Sequence, residues 1–478
     1  MSDLNPSALD STELVNRHAS YQLFRIGLSA TVALTLWLVW KSPLQDTGLK
    51  AMGVGIIFLA VWPALNWARL SRTWFPAFEI FMLTLVNFYA IPLLTAQSDI
   101  GLFSSEVMWQ SALIVLIYGI TANLAFNRGA ASRSRTPKWR DSLLPERLYS
   151  YIPLGVGLST VHLYLVGFTE LVPYELHSIL RAVFFGVGTI STFVLTRLHG
   201  AGVLSRQTLA FLVINLVMQV IMMISQLYLI TGISLIVLAL IGYVSSSRKI
   251  PWIPIIVVLP ILMILHNGKS DMRLKYWENE APNPTLAELP QFFEEWVGYG
   301  LHPGETKEDE SITTGLLKRA SLFQMLCLSV SRVPDEQPYL WGESYVDVPA
   351  LFIPRILWPD KPSALLSNIR LALYFDLVDE ESAFKVSIAF GMLSEAYINF
   401  GMIGAIGLGF VFGAGYKRLA SMADGAPYFS AIGLLMIVLT AWSFQAEQAF
   451  ATWISSLFQA CVVVIGIPLA YRKFMGSN

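Results

Sequence analysis

The sequence predicts an all-α polytopic integral membrane protein with about 12 transmembrane helices (range roughly 10–14) and one large external loop region carrying amphipathic helices. Three observations lead there. The 478 residues are 55% hydrophobic and only 14% charged, with a mean hydropathy of +0.57; a soluble domain carries roughly 25% charged residues. Runs of about 18 or more residues with almost no charge recur along the chain, and in lipid such runs must be helices, because only intrahelical bonds satisfy every backbone group. Lys and Arg are distributed unevenly over the loops between those runs. The net charge of −1 by itself says nothing about partners.

The apolar runs place spans at 21–41, 49–69, 74–95, 107–126, 148–169, 178–197, 208–226, 228–245, 250–267, 389–411, 428–444 and 451–471. The two between Thr208 and Val244 are short. The first run follows a polar tail containing Asp3, Asp10 and Glu13. At about 20 residues it is too long for a signal-peptide core and is expected to be a retained span.

Basic residues decide the orientation. The 127–147 loop holds Arg128, Arg133, Arg135, Lys138, Arg140 and Arg147, and loops of the same parity hold Arg69, Arg72, Arg197, Arg206, Arg248, Lys249, Lys417 and Arg418. The chain ends add Arg17, Arg472 and Lys473, whereas the short opposite loops have only Lys41 and Lys50. By the positive-inside rule both termini are cytoplasmic. The chain then divides into an N-terminal bundle (1–267, about nine spans), a large external region (268–388) and a C-terminal bundle (389–478, about three spans). In a bacterial inner membrane the external region is periplasmic. Cys327 and Cys461 are the only cysteines, one of them inside an apolar run, so neither a disulfide nor a Cys-based metal site is expected. Inverted repeats of the kind found in many secondary transporters are not evident.

The external region carries eleven Lys or Arg against nineteen Asp or Glu, so it is not a generic basic patch for nucleic acid or anionic lipid. Its cations occur at particular places. In HNGKSDMRLKYW, Lys269, Arg273 and Trp277 would share one face of a continued helix at headgroup level, as an interfacial anchor or a phosphate contact. In TTGLLKRASLFQMLCLSVSR, the stripe Leu316, Ala320, Phe323, Cys327 and Val330 predicts an amphipathic helix lying on or dipping into the membrane, with Arg319 at its edge, snorkelling or held by a phosphate. In FIPRILWPDKP, three prolines fix φ and stiffen the chain, presenting Arg355 and Lys361 beside Trp358 and Asp360. Rigid cations suit a phosphate or pyrophosphate, and the Trp ring suits a sugar or the membrane interface. In SEAYINFGMIG, Glu395 lies in the first turns of a span, where a carboxylate is costly and so marks a functional candidate or a partner for a loop Arg; Asn399 is on the same face. Gln445, Glu447 and Gln448 form a lesser polar knot near the external end of the last hairpin.

The order of these pieces, with WGESYVDVPALFIPRILWPDKP followed by SIAFGMLSEAYINFG, resembles the Wzy-like O-antigen polymerases, also called oligosaccharide repeat-unit polymerases. The resemblance covers about 260–410. It implies a membrane glycosyltransferase that moves a growing glycan from undecaprenyl pyrophosphate onto a new lipid-linked repeat unit, in lipopolysaccharide or other surface polysaccharide biosynthesis. It implies no nucleotide sugar, ATP or other cofactor, since the pyrophosphate is the leaving group; no DxD-like metal motif is evident in the external region, so a metal-independent mechanism is expected. Its partners would be the lipid-linked oligosaccharides, membrane lipid, a chain-length regulator and a flippase, with no nucleic acid.

The residues fit that chemistry. Fixed cations stabilise a departing pyrophosphate: Arg355, Arg319 and Arg273, supported by Lys361 and Lys269. An acceptor hydroxyl needs a base: Glu395 first, Asp360 second. Arg355, Glu395 and Arg319 are therefore the expected catalytic residues, and Lys269, Arg273, Trp358, Asp360, Lys361 and Asn399 the expected substrate-binding ones. Alternatives are an O-antigen ligase, which would use nearly the same donor site, a lipid-linked oligosaccharide flippase or other transporter, and a structural subunit. Apart from Glu79, Arg181 and Glu395 the spans are nearly charge-free, which disfavours the flippase.

Overall fold

A chain surrounded by lipid must satisfy its backbone within helices, and about three quarters of the described residues (77%) are helical. The computed structural model describes residues 17–72, 75–96, 100–128, 139–278, 284–302, 321–353, 357–380 and 388–475. Among them there is no strand, only an isolated bridge between Ser142 and Ser430. The N-terminal helices are α1 (Arg17–Lys41), α2 (Thr47–Arg69), α3 (Ala77–Thr95), α4 (Ser105–Arg128), α5 (Ile152–Phe168), α6 (Tyr174–Gly200), α7 (Arg206–Ile224), α8 (Leu229–Ser247) and α9 (Trp252–Asn267). The external region adds α10 (Lys269–Trp277), α11 (Leu289–Leu301), α12 (Leu322–Arg332) and α13 (Leu366–Tyr374). The chain closes with α14 (Gly391–Ala423), α15 (Ala431–Trp442) and α16 (Phe450–Lys473).

Among the described residues, nine helices are long and apolar enough to cross a membrane: α1 to α5, α7, α8, α14 and α16. The pair α9 and α10, bent by 56°, makes a tenth if taken as one broken span. The protein is a polytopic α-helical membrane protein. Helices also stand at the two remaining predicted segments, as α6, which is long but richer in polar residues, and α15, which has 12 residues.

Local sequence explains where helices start and bend. Asp46 caps α2 by accepting from the Gly48 and Leu49 amides at 2.7 and 3.2 Å, and its other oxygen takes the Trp109 indole N–H of α4 at 2.6 Å. Ser205, Ser321 and Ser430 cap α7, α12 and α15 in the same way. In α3 and α16 a π-helical turn, Val86–Ala90 and Val462–Gly466, surrounds the residue four before Pro92 and Pro468. A proline ring clashes with that carbonyl and cannot bond to it, so the helix widens there.

The two sequence-defined bundles share one core, which runs from Leu38 through Phe81 and Tyr118 to Phe412, Trp442 and Val464. Its main seam is α4 against α14. Ala405, Gly409 and Gly413 recur every fourth residue along α14, and a Cβ at Gly413 would come within 2.2 Å of the Ala122 carbonyl oxygen. In lipid, where no hydrophobic effect draws helices together, such close backbone approach supplies the packing. Rings fill the rest: Phe78 stacks on Phe126 at 4.0 Å and Phe81 on Phe412 at 4.9 Å.

Contacts gather the basic turns at one end of the bundle. Arg140 donates to the Asp424 carbonyl at 2.6 Å, Arg472 pairs with Asp141 at 3.3 Å, and Arg197 donates to the Tyr428 hydroxyl and Ser245. Arg248 stacks on Trp67 and donates to the Arg72 carbonyl. The described part of the 268–388 segment lies with the opposite helix ends.

One expectation is corrected. The described part of the predicted surface helix, α12, does not lie on the membrane face. Leu322, Phe323, Met325, Leu326, Cys327 and Val330 are buried, and so are Gln324 and Ser329 on the other face. The helix is inserted among α3, α4 and α14. Its stripe is apolar because protein, not lipid, covers it.

Gly413→Val is expected to force α4 and α14 apart and to destabilise the fold by about 1–3 kcal/mol. A lower melting temperature of the detergent-purified variant measures this; Gly415→Ala, with nothing within 4 Å of an added Cβ, is the matched control.

Candidate functional site

The end of the bundle that carries the 268–388 segment holds two polar clusters. The first is built on α14. Glu395, at the helix's fifth residue, has no accessible surface. Its Oε1 accepts from the hydroxyls of Ser344 at 2.9 Å and Ser367 at 2.8 Å, and its Oε2 accepts from the Phe450 backbone N–H at 2.7 Å. Phe450 is the first residue of α16, and Ala449 before it has no side chain that could cap. Glu395 therefore caps α16 from a neighbouring helix, where a negative charge also complements the helix dipole.

One turn on, Asn399 is equally committed. Its Oδ1 accepts from the Gly342 N–H at 2.9 Å, and its Nδ2 donates to Ser344 Oγ and to the Glu395 carbonyl, both at 2.8 Å. At Gly401 the helix kinks, with φ 60° and ψ −144°. The kink leaves the carbonyls of Ile398 and Asn399 to accept from Leu340 and Trp341 of the external chain, at 3.2 and 3.1 Å. Only glycine serves there. The positive φ disfavours any side chain, and a Cβ would meet the Tyr339 hydroxyl oxygen at 2.8 Å. Beneath this seam Met325, Val333, Leu371, Phe375, Phe390 and Ile398 form a small core of their own.

Around the proline segment, the Lys361 ammonium donates to the carbonyls of Leu351 at 3.0 Å and Ile353 at 2.6 Å, closing a loop across the prolines. Trp358 and Asp360 are exposed on that loop. Arg370 pairs with Asp347 at 2.8 Å. Arg355 and Arg319 lie outside the described residues. In the last hairpin, Glu447 is partly exposed, yet its Oε2 is buried without a hydrogen bond. Burial pushes its carboxyl up to about 7.

The second cluster lies where α9 bends into α10. Arg273 donates to the Leu227 carbonyl at 2.9 Å and lies 4.2 Å from the centre of the Trp277 ring and 5.7 Å from that of Tyr228. Lys275 pairs with Glu295 of α11 at 2.7 Å, and α11 is anchored by buried Trp296, whose indole N–H donates to Leu265 at 2.7 Å. Beside Arg273 is a cavity of about 360 Å³.

The predicted residues thus fall into two groups. Glu395 and Asn399 come together with the external chain, while Lys269 and Arg273 belong to the α9–α11 corner. None of the hydrogen bonds or ring contacts described above joins the two. Ser344 and Ser367, which bond Glu395, escaped the sequence reading, as any single loop serine would. The turn 225–228 escaped because it reads only as a break between two short spans.

Glu395→Ala leaves three buried donors without a partner, each worth about 1–3 kcal/mol. The variant is expected to be strongly destabilised. Glu395→Gln should hold close to the wild-type melting temperature, because the amide oxygen can accept from Phe450 and the hydroxyls can turn to accept from its NH₂. Equal melting of all three proteins would remove Glu395 from its capping role.

No curated protein and no solved structure matches this chain. A family model described as a domain of unknown function (DUF8712) matches residues 165–461, which include both clusters. That is well over half of the 478 residues, and the chain belongs to the DUF8712 family.

Proposed function

We propose that the protein is a membrane glycosyltransferase that polymerises undecaprenyl pyrophosphate-linked repeat units in O-antigen or other surface polysaccharide biosynthesis. In this reading it crosses the bacterial inner membrane twelve times, with both termini cytoplasmic and the site periplasmic. The observation that carries the proposal is the convergence of the two phrases on which the resemblance rests. Glu395 and Asn399 of SEAYINFG bond Gly342 and Ser344 of WGESYVDV across more than fifty residues of chain. The chain that leads into the PRILWPDKP segment is thereby tied to α14 at Gly342 and Ser344, and the Phe352 ring packs on Phe458 of α16 at 4.9 Å.

The geometry redistributes the roles. Glu395 has no accessible surface and three donors, so it acts as a positioning residue. Asp360 is exposed on the loop beside Trp358, and it takes over as the base that accepts the proton of the acceptor hydroxyl. Lys361 shapes the loop from behind. Arg355, within the same stiff segment, and Arg319 supply the positive charge for the departing pyrophosphate. The transfer makes one glycosidic bond to the acceptor oxygen and breaks the bond from the anomeric carbon to the pyrophosphate, which leaves on its lipid.

The test is surface polysaccharide on gels from a deletion strain complemented with variants. Asp360→Asn and Arg355→Ala are expected to leave single repeat units on lipid A core while the protein is made and inserted normally; Arg355→Lys should also be poor, because an ammonium lacks the guanidinium fork. Polymer accumulating on the lipid carrier in the deletion strain would mean a ligase instead, and normal polymer in both variants would remove the loop from the chemistry.

Orientation is checked separately. Reporter fusions at Pro137 and Pro303 are expected in opposite compartments, cytoplasmic and periplasmic; the same compartment for both would overturn the assignment.

A further inference from the structure

The cavity beside Arg273 belongs to neither of the roles above. It is lined by Tyr228, Tyr276, Trp277 and Phe292 together with Ser225, Gln226 and Leu227. We propose that it is a saccharide-binding subsite that takes one neutral pyranose ring of the glycan. The proposal rests on the polymerase reading, and it adds where a sugar is held and by what.

The chemistry of the walls selects the ligand. A pyranose has an apolar C–H face and a rim of hydroxyls. Aromatic side chains meet the first, and amide, hydroxyl and indole N–H groups meet the second. Tyr228 and Trp277 stand with ring centres 5.1 Å apart, and Tyr276 meets Phe292 edge-on at 5.2 Å. The Gln226 amide, the Tyr228 hydroxyl and the Trp277 indole N–H make no hydrogen bond to another described residue, so they are available to a ligand's hydroxyls. A phosphate is a poorer match. No cation lines the cavity: Arg273 gives one N–H to the Leu227 carbonyl behind the Tyr228 and Trp277 rings, and Lys275 is paired with Glu295. An interfacial aromatic belt would scatter its rings along the headgroup level. Here they surround a cavity.

The site is also built to hold its shape. Leu227 adopts φ 60°, a left-handed conformation that costs a side-chain-bearing residue about 1–2 kcal/mol. It persists because its N–H donates to Ile224 at 2.8 Å, its carbonyl accepts from Arg273, and its side chain is buried with Met272, Phe292 and Trp296. Arg273 is therefore a positioning residue: it clamps the 225–228 turn and orients two of the rings.

The full-length protein in detergent tests this by saturation-transfer difference NMR with free glucose, galactose, N-acetylglucosamine and rhamnose at millimolar concentration. Ring-proton signals are expected from at least one of them. The apparent affinity should fall roughly tenfold or more in Trp277→Ala, as for loss of a stacking ring, and also drop in Gln226→Ala, whose exposed and unbonded amide can be removed without disturbing the fold. Unchanged melting of Gln226→Ala verifies that last point. Absence of signal from all four sugars, equal signal in wild type and both variants, or displacement of the sugar by inorganic phosphate would each overturn the proposal. The assay contains no lipid-linked donor and no transfer step, so its outcome is independent of the polymerase reading. Loss of polymer in the deletion strain with no sugar binding here would sink the subsite alone. Sugar binding with normal polymer in the deletion strain would sink the polymerase alone.

Discussion

A carboxylate without accessible surface, one turn inside a membrane helix, needs donors, and the outer end of this protein is organised around supplying them. Glu395 takes a hydroxyl from Ser344, a hydroxyl from Ser367 and the first amide of α16. Those three bonds join four separated parts of the chain: α14, the start of α16, the 338–347 segment and α13. Without an ion pair among the described residues, the charge is balanced by oriented dipoles, which lowers the desolvation penalty that an isolated buried carboxylate would carry. The same bonds specify geometry. Each donor sits at a fixed distance, so the external chain has one register against the membrane helices.

Asn399 and Gly401 extend the arrangement by one turn. The kink at Gly401 frees two carbonyls, and the external chain supplies the two N–H groups that satisfy them. The result is a short stretch of non-helical pairing whose freed backbone groups are satisfied by the neighbouring chain. Above it, the proline loop is closed by Lys361 and seated by Phe352. Exposed Asp360 and Trp358 are thus carried on a support whose own polar groups are occupied. On the polymerase proposal, such a rigid frame would serve to align two bulky lipid-linked substrates.

The corner formed by α9, α10 and α11 is organised differently. There the anchor is Trp296, buried and bonded to the Leu265 carbonyl, with Gly268 and Gly300 letting backbones approach closely. The 56° bend after α9 redirects the chain from the membrane axis and brings Arg273 over the turn between α7 and α8. The guanidinium gives one N–H to a backbone acceptor and makes two cation–π contacts, while its Nε is buried without a hydrogen bond. Both clusters lie within the residues matched by the family model, whereas α1 to α4 lie outside it, with α3 and α4 packing on α12 and α14.

Composition and hydropathy by themselves determined that this chain is a bundle of membrane helices, and approximately where each begins and ends, because in lipid the backbone leaves no other solution for a long apolar run. The grouping of basic turns at one end was equally legible, since charge is kept out of the hydrocarbon whatever the packing. Glu395 and Asn399 stood out because a buried polar side chain is anomalous against an apolar background. Their partners did not: Ser344 and Ser367 are ordinary loop serines, and only folding brings them to the carboxylate. The stripe of α12 was read correctly as apolar and wrongly as lipid-facing, because periodicity reports that a face is covered and not by what. Lys361 and Arg273 looked like free cations because sequence shows a charge but not the backbone carbonyl it will meet. The cavity at Trp277 depends on a bend, a left-handed leucine and a turn fifty residues upstream, which are relations between distant parts of the chain that only the tertiary structure decides.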